Sequence, residues 1–245
     1  MASQRLRPIQ LNDLLDAIFA QAPELRARCA RWSMASPRFP AFLDQYQDKI
    51  RKKLRGLADG EGRRDLAAEL LTAACLLTEP RFILTYEPYA ASKTRGPDFA
   101  ALYKSHTSFN VEVKRIRGQT QPGKWADVLC DKLRQFPPGV MNALVIYGEP
   151  AADPHAPLDL THAMGQMRAA AERKDEAFFT RRGLEGARDY LRQLLKLSAL
   201  FYRAGGTPLA TWINPQTRHP LPSDLRLTLT RGLDTLALAG DTPDE

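Results

Sequence analysis

The sequence predicts an α/β fold: a mixed central sheet flanked by helices, with a helical region before the core and a C-terminal α+β elaboration after it. Three observations predict this. Arg81–Tyr86, Asp98–Lys104 and Ser108–Ile116 are short runs rich in β-formers, the last two joined by the polar turn Ser105-His106-Thr107. Lys124–Phe136 is an amphipathic helix that leads into Asn142–Tyr147, an unbroken apolar strand of the kind covered on both faces. Strand, helix and strand in that order imply a right-handed crossover to a parallel neighbour.

The N-terminal region, residues 1–59, reads as entirely helical. Leu11, Leu14, Leu15, Ile18 and Phe19 form an amphipathic stripe that Asn12 or Asp13 can cap. Pro23 opens a second helix, Glu24 to about Ser33, in the first-turn position that suits proline. Pro37 and Pro40 interrupt the chain before a third, Phe42–Leu57, in which Lys49, Arg51, Lys52, Lys53 and Arg55 crowd together and Gly56 marks the end. That cluster is either a solvated basic face or a stripe of phosphate contacts. Asp59-Gly-Glu-Gly62 reads as a loop and as the boundary to the core, residues 60–150.

The core begins with a helix, Arg63–Thr78, whose buried side carries Leu66, Leu70, Ala73 and Leu77. Glu69 neighbours this stripe, aimed at the sheet's edge or paired with Arg63 or Arg64. Arg81–Tyr86 is the first strand, ended by Glu87-Pro88. The loop Ala90–Gly96 carries Lys93 and Arg95 directly before Asp98, and Arg115, Arg117 and a flexible Gly118–Gly123 stretch follow Lys114. On the next helix Trp125, Val128, Leu129, Leu133 and Phe136 form the stripe, with Lys132 and Gln135 on or beside it. Lys132 either snorkels over its packed stem or reaches a site.

In the C-terminal region, residues 151–245, the signal is weaker. A proline-rich loop, Glu149–Asp159, precedes a helix near Leu160–Ala171. Tyr190, Leu191, Leu194, Leu197 and Phe201 then predict a helix over Glu185–Ala204. Leu209–Ile213 and Asp224–Thr230 read as strands, the latter because Leu225, Leu227 and Leu229 alternate with polar residues. Gly240–Glu245 is expected to fray.

The composition is that of an ordinary globular protein, 44% hydrophobic and 26% charged over 245 residues. A net charge of +7 favours a polyanionic partner, and acidic small molecules or membrane surfaces also satisfy it. Cys29, Cys75 and Cys130 have no metal spacing and read as reduced core thiols of a cytoplasmic protein. No segment is apolar for long enough to span a membrane, and MASQRLRPIQ lacks the apolar stretch of a secretory signal. There is no Walker-type loop, G-x-G-x-x-G, G-x-S-x-G or C-x-x-C, and the four histidines lack ligand spacing. Hydride transfer, zinc hydrolysis and serine-triad chemistry therefore have no motif behind them.

Chemistry concentrates in Arg95–Ile116. Alternate strand residues face opposite ways, so Glu112 and Lys114 share one face and Val111 and Val113 the other. Asp98 heads the preceding strand just after Gly96-Pro97, a position at which a strand tolerates proline. Pairing the two runs as a hairpin brings Asp98, Glu112 and Lys114 to one edge. Two carboxylates and an ammonium there offset their desolvation only by binding something, for which a divalent metal and a phosphate are suited. The bland alternative is a solvated Glu112–Lys114 pair worth about 0–1 kcal/mol.

Pro97-Asp98 followed by Glu112-Val113-Lys114 on the next strand resembles the PD-(D/E)xK nuclease superfamily, which includes restriction endonucleases and Holliday-junction resolvases. Asp65-Leu-Ala-Ala-Glu69-Leu-Leu looks like that family's first core helix, with Glu69 its acid, and the similarity in element order runs from Glu61 to Tyr147. The letters alone recur at Pro243-Asp244 and Glu172-Arg173-Lys174, where no strand pattern surrounds them. The resemblance implies a restriction-endonuclease-like core and hydrolysis of nucleic-acid phosphodiesters, DNA foremost, with Mg2+ or Mn2+ as cofactor. It implies Asp98, Glu112, Glu69 and the carbonyl of Val113 as metal ligands. Lys114 would orient the attacking water or stabilise the transition state. Lys93, Arg95, Arg115, Arg117, Lys132 and Gln135 would contact nucleic acid. The alternative is the same fold with an inactive site, serving as a nucleic-acid-binding or assembly module. The helical ends also suit a homo-oligomer.

Overall fold

The computed structural model describes residues 8–57, 59–90, 96–117, 122–148, 160–205 and 207–235. The loops expected around 91–95, 118–121 and 149–159, and the tail 240–245, lie outside the described residues.

Four helices open the chain: α1 (Pro8–Phe19), α2 (Pro23–Ala35), α3 (Phe39–Arg55) and α4 (Gly60–Leu77). Helix α1 starts before the expected caps, Asn12 and Asp13, and buries Leu15, Ile18 and Phe19. Helix α3 begins at Phe39 because Pro40 falls in its first turn, where no intrahelical donor is lost. The loop expected at Asp59–Gly62 is instead a cap and first turn: the Asp59 Oδ1 accepts the Gly62 N–H at 2.8 Å.

Strands β1 (Phe82–Tyr86), β2 (Phe99–Tyr103) and β3 (Thr107–Ile116) follow, then α5 (Pro122–Gln135) and β4 (Met141–Gly148). The chain continues through α6 (Leu160–Glu172), α7 (Glu176–Thr180), α8 (Ala187–Leu194), β5 (Leu197–Ala204), β6 (Ala210–Ile213) and α9 (Ser223–Thr235). The six strands lie side by side in chain order. β1, β2 and β3 pair antiparallel, β3, β4 and β5 parallel, and β6 returns antiparallel, so the sheet is mixed and the class is α/β. The β2–β3 turn places Lys104 and Ser105 at positive φ, the hand that matches strand twist in a hairpin.

Two apolar layers sandwich the sheet. One joins α1–α4 and α9 to the face bearing Tyr86, Phe99, Val111 and Val113, in a single cluster running from Leu15 to Leu233. The other joins α5, α6 and α8 to the face bearing Leu144, Ile146 and Leu200. The three cysteines are buried, and among the described residues they form no disulfide. Among the described residues no helix is long and apolar enough to cross a membrane.

Strand β1 is an edge, and α3 shields it. Arg38 donates to the Phe82 carbonyl at 2.7 Å, Tyr46 to Leu84 at 3.5 Å and Lys49 to Tyr86 at 3.0 Å. Every second carbonyl on the open side is thereby occupied, which blunts pairing with another chain. Tyr46, Lys49 and Lys53 lie three and four residues apart and so share a helix face.

Two C-terminal expectations are corrected. Glu185–Ala204 is not one helix: α8 ends at Leu194 and Leu197–Ala204 is a strand buried throughout between β4 and β6. A strand covered on both faces loses its alternation and reads like a buried helix. Asp224–Thr230 is not a strand but lies within α9, which buries Leu225, Leu229 and Leu233 at helical spacing and leaves Leu227 53% exposed. This helix packs on α4, where a Cβ at Gly232 would stand 3.3 Å from the Cys75 carbonyl.

Candidate active site

The β2–β3 register pairs Phe99 with Val111, so Asp98 comes opposite Glu112 one step further along. The β1–β2 ladder also runs one rung past its ends, since the Glu87 N–H donates to the Asp98 carbonyl at 2.7 Å. Beyond β2 the side of β3 it would have covered is taken by the Asp98 side chain, whose Oδ2 accepts the Val113 N–H at 2.8 Å. A strand residue directs its N–H and C=O to the same neighbour, so the Val113 carbonyl also faces Asp98's side.

Glu112 is 3% exposed and faces the α5 layer. Its Oε1 accepts the Lys132 ammonium at 2.5 Å, which also reaches the Gln135 Oε1 at 3.3 Å. Among the described residues its Oε2 is buried without a hydrogen-bond partner. Glu69 comes from the opposite layer, on α4, and is 8% exposed. Both its oxygens accept Lys53 of α3, at 2.9 and 2.7 Å, and its Oε2 also accepts the Tyr86 hydroxyl at 2.7 Å. Lys53 donates further to Glu87 at 3.1 Å, and Glu87 itself has φ 46, a left-handed conformation uncommon outside glycine.

The cluster is electrostatically joined. Burial and then the charge of Glu112 push the Asp98 carboxyl up to about 7, against the Val113 N–H, Lys53 and Lys132. Burial and the charge of Asp98 push Glu69 up to about 7, against Lys53 and Tyr86. Burial also raises Glu112, which Lys132 counters and Glu69 reinforces. Burial disfavours the Lys53 ammonium, yet Glu69, Asp98 and Glu87 hold it well above the usual lysine range. Acids perturbed in this way by burial and by named charged partners make the cluster a candidate functional site.

The other expected residues fall as follows. Lys114 is half-buried on Glu112's face of β3, and its ammonium makes no hydrogen bond or ion pair among the described residues. Arg115 is 2% exposed and points to the other face, where it binds Asp65 at 3.2 Å and also Glu61, clamping β3 to α4. Its guanidinium is therefore closed to a nucleic acid, which corrects its expected role. Arg117 stays 53% exposed while pairing with Asp65 at 2.9 Å and Glu61 at 3.2 Å. Gln135 stands behind Lys132, and Lys93 and Arg95 lie outside the described residues.

Sequence reasoning placed Lys53 in a basic cluster and did not bring it, Tyr86 or Glu87 to the acids. The available signal was that Lys49 and Lys53 flank the apolar stripe Phe42, Tyr46, Ile50 and Leu54, too close to the core to be purely solvated.

A divalent cation fits part of the expected donor set. Glu112 offers an unpartnered buried oxygen, Asp98 a carboxylate with one oxygen held by Val113, and Val113 a carbonyl on the same side. These are hard oxygen donors, and Mg2+ completes its octahedron with water. Among the described residues no three His, Cys, Asp or Glu side chains are grouped around one point as a metal cage. No family model, curated protein or solved structure matches the chain.

Proposed function

We propose that the chain is a metal-dependent nuclease of the PD-(D/E)xK type, hydrolysing phosphodiester bonds of nucleic acid and of DNA in the first place. The observation that carries this reading is the pairing of Asp98 with Glu112 across the end of a hairpin, both desolvated, with the charge of Glu112 raising the Asp98 carboxyl. Desolvated like charges raise each other's proton affinity, and a divalent cation relieves that repulsion. Asp98, Glu112 and the Val113 carbonyl would hold Mg2+ or Mn2+. When bound, the ion would stabilise charge on the scissile phosphate and acidify a water.

The chain's own residues do the rest. The Val113 N–H fixes the Asp98 carboxylate in place, and Lys132 with Gln135 fixes Glu112 from the opposite side. Lys114, on Glu112's face and free of internal partners among the described residues, is the cation available to orient the attacking water or meet the phosphate. Arg117, on the continuation of β3, pairs with Asp65 and Glu61 and keeps part of its guanidinium open to solvent.

One observation favours a second reading. Lys132 and Lys53 already neutralise Glu112 and Glu69, so most of the cluster is satisfied internally, as an inactive nuclease-fold binding module would need. Plasmid nicking in Mg2+ or Mn2+ separates the two: wild type cleaves, and Lys114→Ala loses cleavage while staying folded. Equal inertness of both proteins on duplex, single-stranded and branched substrates would remove the enzymatic claim, and DNA binding without turnover would favour the module.

A further inference from the structure

The N-terminal helices contribute more to this site than a scaffold. Along α3, Tyr46 and Lys49 hand hydrogen bonds to alternate carbonyls of β1, Leu84 and Tyr86. Lys53 is the next polar residue on that face, but β1 has ended by then, and its ammonium meets the carboxylates of Glu69 and Glu87 instead. Its position is also fixed by the Tyr86 ring, whose centroid lies 5.4 Å from the ammonium.

We infer that Lys53 is a positioning residue of the site that takes Glu69 out of the metal-ligand set and leaves a site for a single divalent cation. The inference rests on the nuclease reading above and narrows it. Glu69 has three hydrogen bonds spread over its two oxygens, two from Lys53 and one from Tyr86. A buried carboxylate with its Oε2 filled and its Oε1 already charge-paired is a poorer metal ligand than one that keeps a bare oxygen. Glu112, by contrast, keeps an unpartnered buried oxygen. With Glu69 so held, the donors left are Asp98, Glu112 and the Val113 carbonyl, a set that suits one divalent ion and not two.

The test is calorimetric titration of Mn2+ into the full chain, with nucleic acid absent, for wild type, Glu69→Gln, Lys53→Met and Asp98→Asn. Wild type should take up one Mn2+ per chain. Glu69→Gln, which can still accept Lys53, should keep that stoichiometry and change affinity by less than about threefold. Asp98→Asn should weaken uptake by more than about tenfold. Lys53→Met leaves Glu69 buried without its cation, so this variant should melt earlier without metal and bind Mn2+ more tightly, recovering its melting temperature as it does so. Uptake of two ions by wild type, or a Glu69→Gln loss as large as that of Asp98→Asn, would overturn the inference and leave the nuclease reading standing. No Mn2+ uptake by wild type or Lys53→Met would sink both. If Lys53→Met does not fold, Glu69→Gln alone still decides the matter.

Discussion

Asp98→Asn should change how stability depends on pH, and the sign follows from the site. An unfolded aspartate releases its proton near pH 4, whereas burial and Glu112 hold the folded Asp98 carboxyl up to about 7. Between those values the native state binds more protons than the unfolded one, so this group makes stability fall as pH rises. Each pH unit of the gap is worth about 1.36 kcal/mol. Asp98 is partly open to solvent, which discounts the full figure to roughly 3 kcal/mol above pH 7. Asparagine keeps an oxygen for the Val113 N–H, removes the charge and relieves Glu69 and Glu112 of a neighbour. Wild type and Asp98→Asn should therefore melt together near pH 4 in metal-free buffer. Their curves should then diverge, the variant being higher by about 6–12 °C at pH 8, given roughly 2–4 °C per kcal/mol for a chain of this size. Thermal melting followed by circular dichroism across pH 4–8 measures the gap. Parallel curves, or a gap that opens towards acid, would refute the claim that these carboxyls are desolvated against each other.

Two further substitutions separate structural from binding charges. Arg115→Ala removes a fully buried guanidinium from Asp65 and Glu61, whose carboxylates are about a third exposed and regain part of their hydration. A loss of about 2–4 kcal/mol is expected in urea titration, with the salt dependence of DNA binding unchanged; a weakened salt slope at wild-type stability would restore its expected role as a phosphate contact. Lys52 and Arg55 remain exposed on α3, so their double alanine variant should keep its stability and lower the slope of log affinity against log salt by up to about 2. An unchanged slope would mark that end of the helix as merely solvated.

How far the site could be read from the chain depended on how local each feature is. The alternation in β3 that sets Glu112 opposite Val111 and Val113 is local, and so is the hairpin that carries Asp98 alongside. The amphipathic stripe of α5 put Lys132 within reach of the sheet for the same reason. Lys53 was not legible, because its place depends on α3 docking along the edge of β1, a contact between segments 34 residues apart. Arg115 failed for a related reason: strand alternation does send it to the opposite face from Lys114, but only the packed α4 reveals the acids waiting there. In the C-terminal region β5 lost its signature through burial on both faces. The leucines of α9 satisfy a two-residue and a four-residue spacing at once until Arg231 breaks the first. Periodicity identifies a helix or strand by its contrast between faces, and both elements offered too little of it.

The central claim is that Asp98 and Glu112 share one ion. A crystal of the full chain soaked in Mn2+, with anomalous scattering collected at the manganese edge, tests it most directly. The account predicts a single peak between those two carboxylates on the Val113 carbonyl side, with Glu69 still bound to Lys53. A peak elsewhere, or no peak with Lys132 unmoved on Glu112, would contradict it.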